Sequence, residues 1–287
     1  MKIKSYAKIN LSLDVINRRD DGYHNLKMIM HSVDISDDIE IRINKSKKIT
    51  IATNLRYLPN NKKNHAYRAA EVFFEETKIQ NPGIHINIVK KIPVCAGLAG
   101  GSSDAAAVLK GLNEMFKTGL SVEKLAELGL KIGADVPYCV HGGTMLAEGV
   151  GEILTPLPPL PKAPIVLAKP NISLSTPKVF SEIHADKIKL HPDTEGMIKA
   201  LRAGDLNGVC KRMYNVLEPA AQAVLNSSAV PHAVEELKEI FRNCGASGTL
   251  MSGSGPTVFG IFESEAAAKQ AFSAAKKITK DAFLTTT

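Results

Sequence analysis

The residues best placed to do chemistry gather around a glycine-rich stretch: Pro93, Val94, Cys95, Ala96, Gly97, Leu98, Ala99, Gly100, Gly101, Ser102 and Ser103, followed by Asp104. Its glycines let the backbone turn where a side chain would clash. A helical pattern runs from about 103 to 116, and Ser102, Ser103 and Asp104 are residue types that cap helix starts. Such a turn offers free N–H groups and the positive end of a helix dipole to an anion, most simply a phosphate. It is neither a Walker loop nor a Gly-x-Gly-x-x-Gly dinucleotide fingerprint. Glycine turns also occur for geometry alone. The hydroxyls directly after the glycines tip the balance towards phosphate, and they could also reach a magnesium ion held on a triphosphate.

Other segments gain meaning only beside that loop. Asp135 lies between Gly133 and Pro137 in a stiff segment. A carboxylate held rigidly near a hydroxyl is what a general base needs, and a plain Asx-turn explains it equally well in isolation. Lys8 and Asn10 share the polar face of an alternating strand. A lysine near a carboxylate and a phosphate would keep the base ionised and neutralise charge in phosphoryl transfer, whereas a lone strand lysine usually faces solvent. Asp21-Gly22-Tyr23-His24 is a hairpin loop that also presents a ring and an imidazole to a flat ligand such as a nucleobase. Phe180 could add another aromatic face, or simply fill a helix core. Gly253-Ser254-Gly255 is a tight turn between strands that could close over phosphates or substrate. The histidines other than His24 lack metal-ligand spacing.

These residues need scaffolding on both sides. Residues 2–16 alternate as a half-buried strand, with strand patterns following at 25–35, 38–43 and 48–52. A helix opens at Asn64 and runs to about Thr77, and a strand at 84–91 leads into the glycine loop. A helix over 121–132 stops at Gly133, and strands at 143–148 and 151–155 close this half. Pro156 to Pro164 reads as an interdomain connection. Beyond it come a strand at 165–169, helices at about 176–183, 193–203, 205–213, 230–242 and 264–277, strands at 248–251 and 257–262, and a last strand to 284. Helices on a small antiparallel sheet suit that half.

The 287 residues are enough for one large or two medium domains, and 44% hydrophobic content is ordinary for a soluble globular chain. A net charge of +7 fits an anionic substrate, nucleic acid or a membrane surface. No long basic tail is present. The four scattered cysteines read as reduced thiols. The chain starts directly on a strand pattern, and no apolar run approaches membrane-spanning length, so a cytoplasmic protein without a signal peptide is expected.

Taken in order, Ala-Lys-Ile-Asn, Arg-Arg-x-Asp-Gly-Tyr-His, Gly-Leu-Ala-Gly-Gly-Ser-Ser-Asp, Gly-Ala-Asp-Val-Pro and Ser-Gly-Ser-Gly-Pro resemble one family, the small-molecule kinases named after galactokinase, homoserine, mevalonate and phosphomevalonate kinases (GHMP kinases). The resemblance covers residue 6 to about 260. It implies an α+β, two-domain architecture: a ribosomal S5 domain 2-like, ATP-binding N-terminal domain over 1–157 and a ferredoxin-like C-terminal domain over 164–287. It further implies ATP and Mg2+ as cofactors. The Asp21–His24 loop beside Ala7–Asn10 points to the branch that phosphorylates the 2-hydroxyl of a cytidyl-diphosphate ester of methylerythritol, on the non-mevalonate route to isoprenoids. By resemblance Asp135 is the general base and Lys8 its charged partner. Asn10 and Thr176 hold the methylerythritol end, and Tyr23, His24 and Phe180 surround the cytosine. Residues Pro93 to Ser103 wrap the ATP phosphates, and Asn64 lies near the adenine. No metal ligand is assigned. A monomer or homodimer that binds neither nucleic acid nor membrane is expected.

Ala96 and Ala99 depart from an all-glycine loop, and both are expected in ordinary backbone regions, because alanine tolerates positive φ poorly. The rival readings are a sister kinase acting on mevalonate, homoserine or a sugar, the related decarboxylase, a basic RNA-binding module, and a nucleotide-binding regulator without chemistry. Tyr23 and His24 argue against the sister enzymes, since a substrate without a nucleobase has no use for them. The lack of a clustered basic face with exposed aromatics argues against RNA.

Overall fold

The N-terminal alternation is realised as β1 (Lys2–Arg18), which turns at Asp20–Gly22 into β2 (His24–Ile43), in the computed structural model describing residues 1–287. Arg19 N–H donates to Tyr23 O at 2.8 Å across the turn, and Gly22 supplies the positive φ of +86° that the hairpin needs. The patterns at 25–35 and 38–43 are one unbroken strand. Then follow β3 (Ile49–Thr53), α1 (His65–Thr77), β4 (Ile84–Val89), α2 (Gly100–Phe116), α3 (Val122–Leu130), α4 (Val136–His141), β5 (Thr144–Gly149) and β6 (Ile153–Pro156). The remainder comprises β7 (Pro164–Lys169), α5 (Thr176–Ser181), α6 (Thr194–Ala203), α7 (Leu206–Cys210), β8 (Tyr214–Asn215), α8 (Glu218–Leu225), α9 (Ala233–Asn243), β9 (Gly248–Met251), β10 (Val258–Ile261), α10 (Glu265–Ile278) and β11 (Asp281–Thr286). The sequence patterns did not anticipate α8, or that the stiff segment after Gly133 continues into α4. Both helices carry a proline in their first turn, where its missing N–H costs nothing.

Two compact units interleave along the chain. The first comprises Met1–Ala7, Ile35–Ile92 and Ala99–Gly142, and the second comprises Lys8–Asp34, Pro93–Leu98 and Gly143–Thr287. They interleave because β1 and β2, at 17 and 20 residues, are each long enough to serve both. The proline-rich stretch 156–164 lies inside the second unit.

In the first unit β4 pairs antiparallel with the end of β2 and parallel with β3. Its core joins Ile39, Ile41, Ile84, Ile86 and Ile88 of the sheet to α1 and to the alanine-rich start of α2. Asn64 caps α1 by accepting from Ala66 N–H at 3.0 Å, as its residue type predicts. Ser121 caps α3 likewise, accepting from Lys124 N–H at 3.2 Å.

In the second unit the start of β2 pairs with β5, and β8 joins β1 in parallel at Ser12 and Leu13. A four-stranded antiparallel sheet runs in the order β11-β7-β10-β9. α9 and α10 pack on it. The half-buried strand expected at the N-terminus is wrong for this part of β1. Lys8, Asn10, Ser12 and Asp14 are all buried, as are the apolar residues between them. A central strand with neighbours on both sides can be covered on both faces, and alternation alone does not show when it is. No helix is long and apolar enough to cross a membrane. No disulfide joins the four cysteines.

His31 of β2 is buried and holds Thr144 Oγ1 at 2.8 Å through Nδ1, while its Nε2 is buried without a partner. Burial pushes its imidazole down to about 4 from 6.5, so the fold holds it neutral. The unfolded chain takes up that proton as pH falls below 6.5 and the folded protein does not. The stability tied to His31 is therefore present above pH 6.5 and lost as pH falls towards 4. His31→Leu is expected to flatten that loss by about 2–3 kcal/mol between pH 7 and 4.5, read from urea unfolding of both proteins.

Candidate active site

The glycine loop leaves β4 at the end of the first unit, runs as Pro93–Leu98 in the second and re-enters the first at Ala99. Gly97 is its tightest point, with φ +74° and no room for a side chain: a Cβ there would sit 2.0 Å from Ser252 O. The Gly97 carbonyl accepts from Lys8 Nζ and from Ser252 Oγ, each at 2.9 Å. Lys8 N–H donates to Leu98 O at 3.2 Å, and Thr257 N–H to Ala96 O at 3.4 Å. Lys8 thus holds the loop with backbone and side chain together. Its ammonium also donates to Asn10 Oδ1 at 2.6 Å. A buried ammonium needs such acceptors, since an unpaired one would neutralise. A Cβ on Gly253 would lie 3.2 Å from Lys8 Nζ and 3.4 Å from Asn10 Oδ1, so the Gly253–Ser254–Gly255 turn abuts this pair. Pro93 and Val94 are half-buried, Ala96 and Leu98 are buried, and Cys95 is exposed.

The first-unit half of the loop corrects two expectations. Ala99 is not in an ordinary backbone region. It caps α2 in the left-handed conformation, φ +55°. Cys95 is also left-handed at φ +51°, whereas Ala96 is not. Non-glycine residues hold that conformation at a cost of about 1–3 kcal/mol, and only where their surroundings over-determine it. The second correction concerns the cap. Gly100, Gly101, Ser102 and Ser103 form the first turn of α2, and no side chain caps it. Ser103 is buried and donates its hydroxyl to Tyr6 O at 2.7 Å. An uncapped helix start directly after a glycine turn suits an anion.

Asp104 points into the protein instead of capping. Its Oδ2 accepts from Lys90 Nζ at 2.7 Å and its Oδ1 from Ser5 Oγ at 2.7 Å. Lys90 Nζ also pairs with Asp37. Asp37 Oδ1 in turn accepts the N–H groups of Lys91 at 2.5 Å and Ile92 at 2.8 Å. Two buried carboxylates thus face one ammonium. Burial, reinforced by Asp37, pushes the Asp104 carboxyl up to about 7 against the pull of Lys90. Burial opposes the charge on Lys90, but Asp104 and Asp37 outweigh it and raise its pKa. A Cβ on Gly100 would lie 3.2 Å from Lys90 Nζ, so the cluster sits directly beneath the start of α2. Lys90→Met is expected to cost about 3–5 kcal/mol, because it strands two buried acids, and Asp104→Asn far less. Asp104 binds its proton more tightly folded than unfolded, so its favourable contribution is full below its ordinary 3.8 and lost as pH rises through about 7. The Lys90→Met penalty in thermal unfolding is accordingly larger at pH 8 than at pH 5.

Asp135 is half-buried at the start of α4, where its backbone begins the helix but its carboxylate makes no capping bond. Asn64 is half-buried and engaged in capping α1, and its Nδ2 donates to Pro59 O at 3.0 Å. Its neighbour His65 has a buried Nδ1 without a partner, 3.6 Å from where a Gly101 Cβ would be.

Of the residues expected around the substrate, the second unit brings together three pairs. Lys8 meets Asn10. The rings of His24 and Phe180 lie 5.4 Å apart, tilted by 33°. Thr176 Oγ1 shares a hydrogen bond with Ser254 Oγ at 2.8 Å. Burial, then Arg18, holds the His24 imidazole below its usual range and so favours its neutral form. Tyr23 stands apart with 64% of its surface exposed, and its N–H donates to Asp21 Oδ1 at 3.0 Å.

Comparisons with known proteins give the family and the fold. The family model of the GHMP kinases N terminal domain matches residues 64–143, and that of GHMP kinases C terminal matches 197–280. A 4-diphosphocytidyl-2-C-methyl-D-erythritol kinase of Clostridium perfringens is 48% identical over 273 residues, covering 95% of this chain and 92% of the relative. The chain belongs to this family of GHMP kinases. A kinase of the same description from Caldicellulosiruptor bescii is 46% identical over 100% of this chain and 98% of its own. A crystal structure of a 4-(cytidine 5'-diphospho)-2C-methyl-D-erythritol kinase superposes with a TM-score of 0.82 at 33% identity, covering 100% of this chain and 98% of that one. A homoserine kinase from Cytophaga hutchinsonii, at TM-score 0.75 and 20% identity, shares the fold. The two-domain GHMP-kinase architecture implied by the motifs is therefore that of this chain, and the kinase uses ATP as its family does.

At the first-unit end of the loop, the left-handed entry at Ala99 and the uncapped start of α2 suit a phosphate group such as a nucleotide carries. No cluster of three or more His, Cys, Asp or Glu side chains forms a metal cage. Mg2+ is compatible with that, since it commonly binds through substrate phosphates and water with one or two protein ligands. Ser252 opens the Ser-Gly-Ser-Gly-Pro motif but was given no role there, and the motifs missed Asn215 and the Lys90 cluster. Ser252 borders a recognisable glycine turn, which was a usable signal, whereas Asn215 and Lys90 had none.

Proposed function

We propose that this kinase transfers the γ-phosphoryl group of ATP to the 2-hydroxyl of 4-diphosphocytidyl-2-C-methyl-D-erythritol, in the non-mevalonate supply of isoprenoid precursors. The 2-oxygen bonds to the γ-phosphorus, the bond to the ADP oxygen breaks, and the hydroxyl proton passes to Asp135. Lys8 neutralises charge and, with Asn10 and Thr176, orients the methylerythritol end. His24 and Phe180 receive the cytosine, with Tyr23 closing from the exposed hairpin. Pro93 to Ser103 hold the phosphates, and Asn64 lies on the adenine side. Mg2+ on the triphosphate supplies further neutralisation when bound. The work falls in the matched GHMP domains, which we extend to 1–157 and 164–287. We further propose a cytoplasmic monomer or homodimer that engages neither nucleic acid nor membrane.

The observation carrying this reading is the Gly97 carbonyl locked by Lys8 and Ser252. Phosphoryl transfer asks the protein mainly for positioning and charge neutralisation, and one buried ammonium here serves both. The His24–Phe180 ring pair favours an acceptor with a nucleobase over mevalonate or homoserine. ADP release with Mg-ATP and each candidate acceptor tests it. Turnover of the cytidyl acceptor alone is expected. Turnover of mevalonate or homoserine instead would overturn the choice.

A further inference from the structure

Asn215 occupies a two-residue strand, β8, and is 1% exposed. Its Nδ2 donates to Met251 O and to Gly253 O, each at 2.8 Å, and its Oδ1 accepts from Leu217 N–H at 2.9 Å. Both amide protons are therefore spent on the two carbonyls that flank Ser252. Glu218 supports the same point: its Oε1 accepts Met251 N–H at 2.8 Å, and its Oε2 is held by Lys238 at 2.7 Å. Ser252 N–H donates to Thr257 O at 2.9 Å. The backbone on either side of Ser252 is thus pinned, and the one freedom left to that residue is its hydroxyl, which lies on Gly97 O. One residue further on, Ser254 bonds Thr176.

We propose that Asn215 is a positioning residue for the phosphoryl transfer, its amide clamping the carbonyls of Met251 and Gly253 so that the Ser252 hydroxyl and Lys8 hold Gly97 in register. The inference rests on reading Pro93–Ser103 as the phosphate loop. A neutral side chain with two donors and one acceptor suits the place. A carboxylate of the same size would keep the bond from Leu217 N–H but turn an oxygen towards two carbonyl oxygens. Displacement of a phosphate-holding loop by about 1 Å from a site that never touches the substrate lowers turnover by about 10²-fold.

The test compares Asn215→Asp, Asn215→Ala, Ser252→Ala and the Asn215→Ala/Ser252→Ala double variant, each with folding checked by circular dichroism and thermal melting. The wild-type kinase must first turn over the cytidyl acceptor, and its failure to do so sinks the functional reading and not this inference alone. Both Asn215 variants are expected to lose turnover, about 10²-fold for Asn215→Asp, with the KM for the acceptor unchanged. The double variant is expected to be no slower than the slower single one, because both act through the same Gly97 contact. A purely structural Asn215 would lower the melting temperature and leave kcat untouched well below it. That result, or additive effects of the two alanine substitutions on kcat, overturns the proposal. If Asn215→Ala does not fold, Asn215→Asp replaces it in the cycle with the same two outcomes.

Discussion

Asp135→Asn is expected to lower turnover by about 10²–10⁴-fold, the range a positioned general base supplies. This corresponds to about 3–5 kcal/mol of transition-state stabilisation. The substitution is unusually clean here. The carboxylate makes no capping bond to α4, and the bond from Cys139 N–H at 3.1 Å goes to the Asp135 backbone carbonyl, which asparagine keeps. Melting temperature and ATP binding should therefore be preserved while kcat falls. ADP release at saturating ATP and acceptor reads the effect. Near-normal turnover would remove Asp135 from the mechanism.

Lys8→Ala is expected to cost about 10²–10³-fold in kcat, the typical loss on deleting one preorganised donor at developing charge. Its effect on ATP should be much smaller. The Gly97 carbonyl keeps Ser252 Oγ, and Lys8 N–H continues to hold Leu98 O. Losing one hydrogen bond to the loop weakens nucleotide affinity by about tenfold at most. Titration with a fluorescent ATP analogue, set beside steady-state kinetics, separates the two. Equal losses in affinity and turnover would assign Lys8 to loop support alone.

The two substitutions report on different kinds of placement. Asp135 is held by local chain geometry: Gly133 ends the preceding segment and Pro137 stands in the first turn of α4. That much is legible in sequence, because a proline in a first turn acts over a few residues. Lys8 is held by Gly97, 89 positions away. Alternation identified its face of β1 but not its burial, because alternation is blind to whatever covers the second face. The Asp104 expectation failed for a related reason. Aspartate after a glycine turn is a good cap by type. Here Lys90 and Ser5 offer it charge-assisted and neutral partners in the interior, and the stronger interaction prevails over the local preference.

The sequence by itself determined what short-range physics controls. It set the helix starts at Asn64 and Ser121, the hairpin at Asp21-Gly22 and the glycine turn before α2. The ordered motifs also carried the family. Only the tertiary structure decided that β1 and β2 would serve two interleaved units, that Ala99 would bend left-handed, and that Ser252, Asn215 and Lys90 would support the loop. The contacts responsible span 99 residues from Ser5 to Asp104 and 155 from Gly97 to Ser252. A cap or a turn depends on φ, ψ and one nearby donor. A buried polar contact depends on which distant acceptor the completed fold delivers, and no local pattern encodes that.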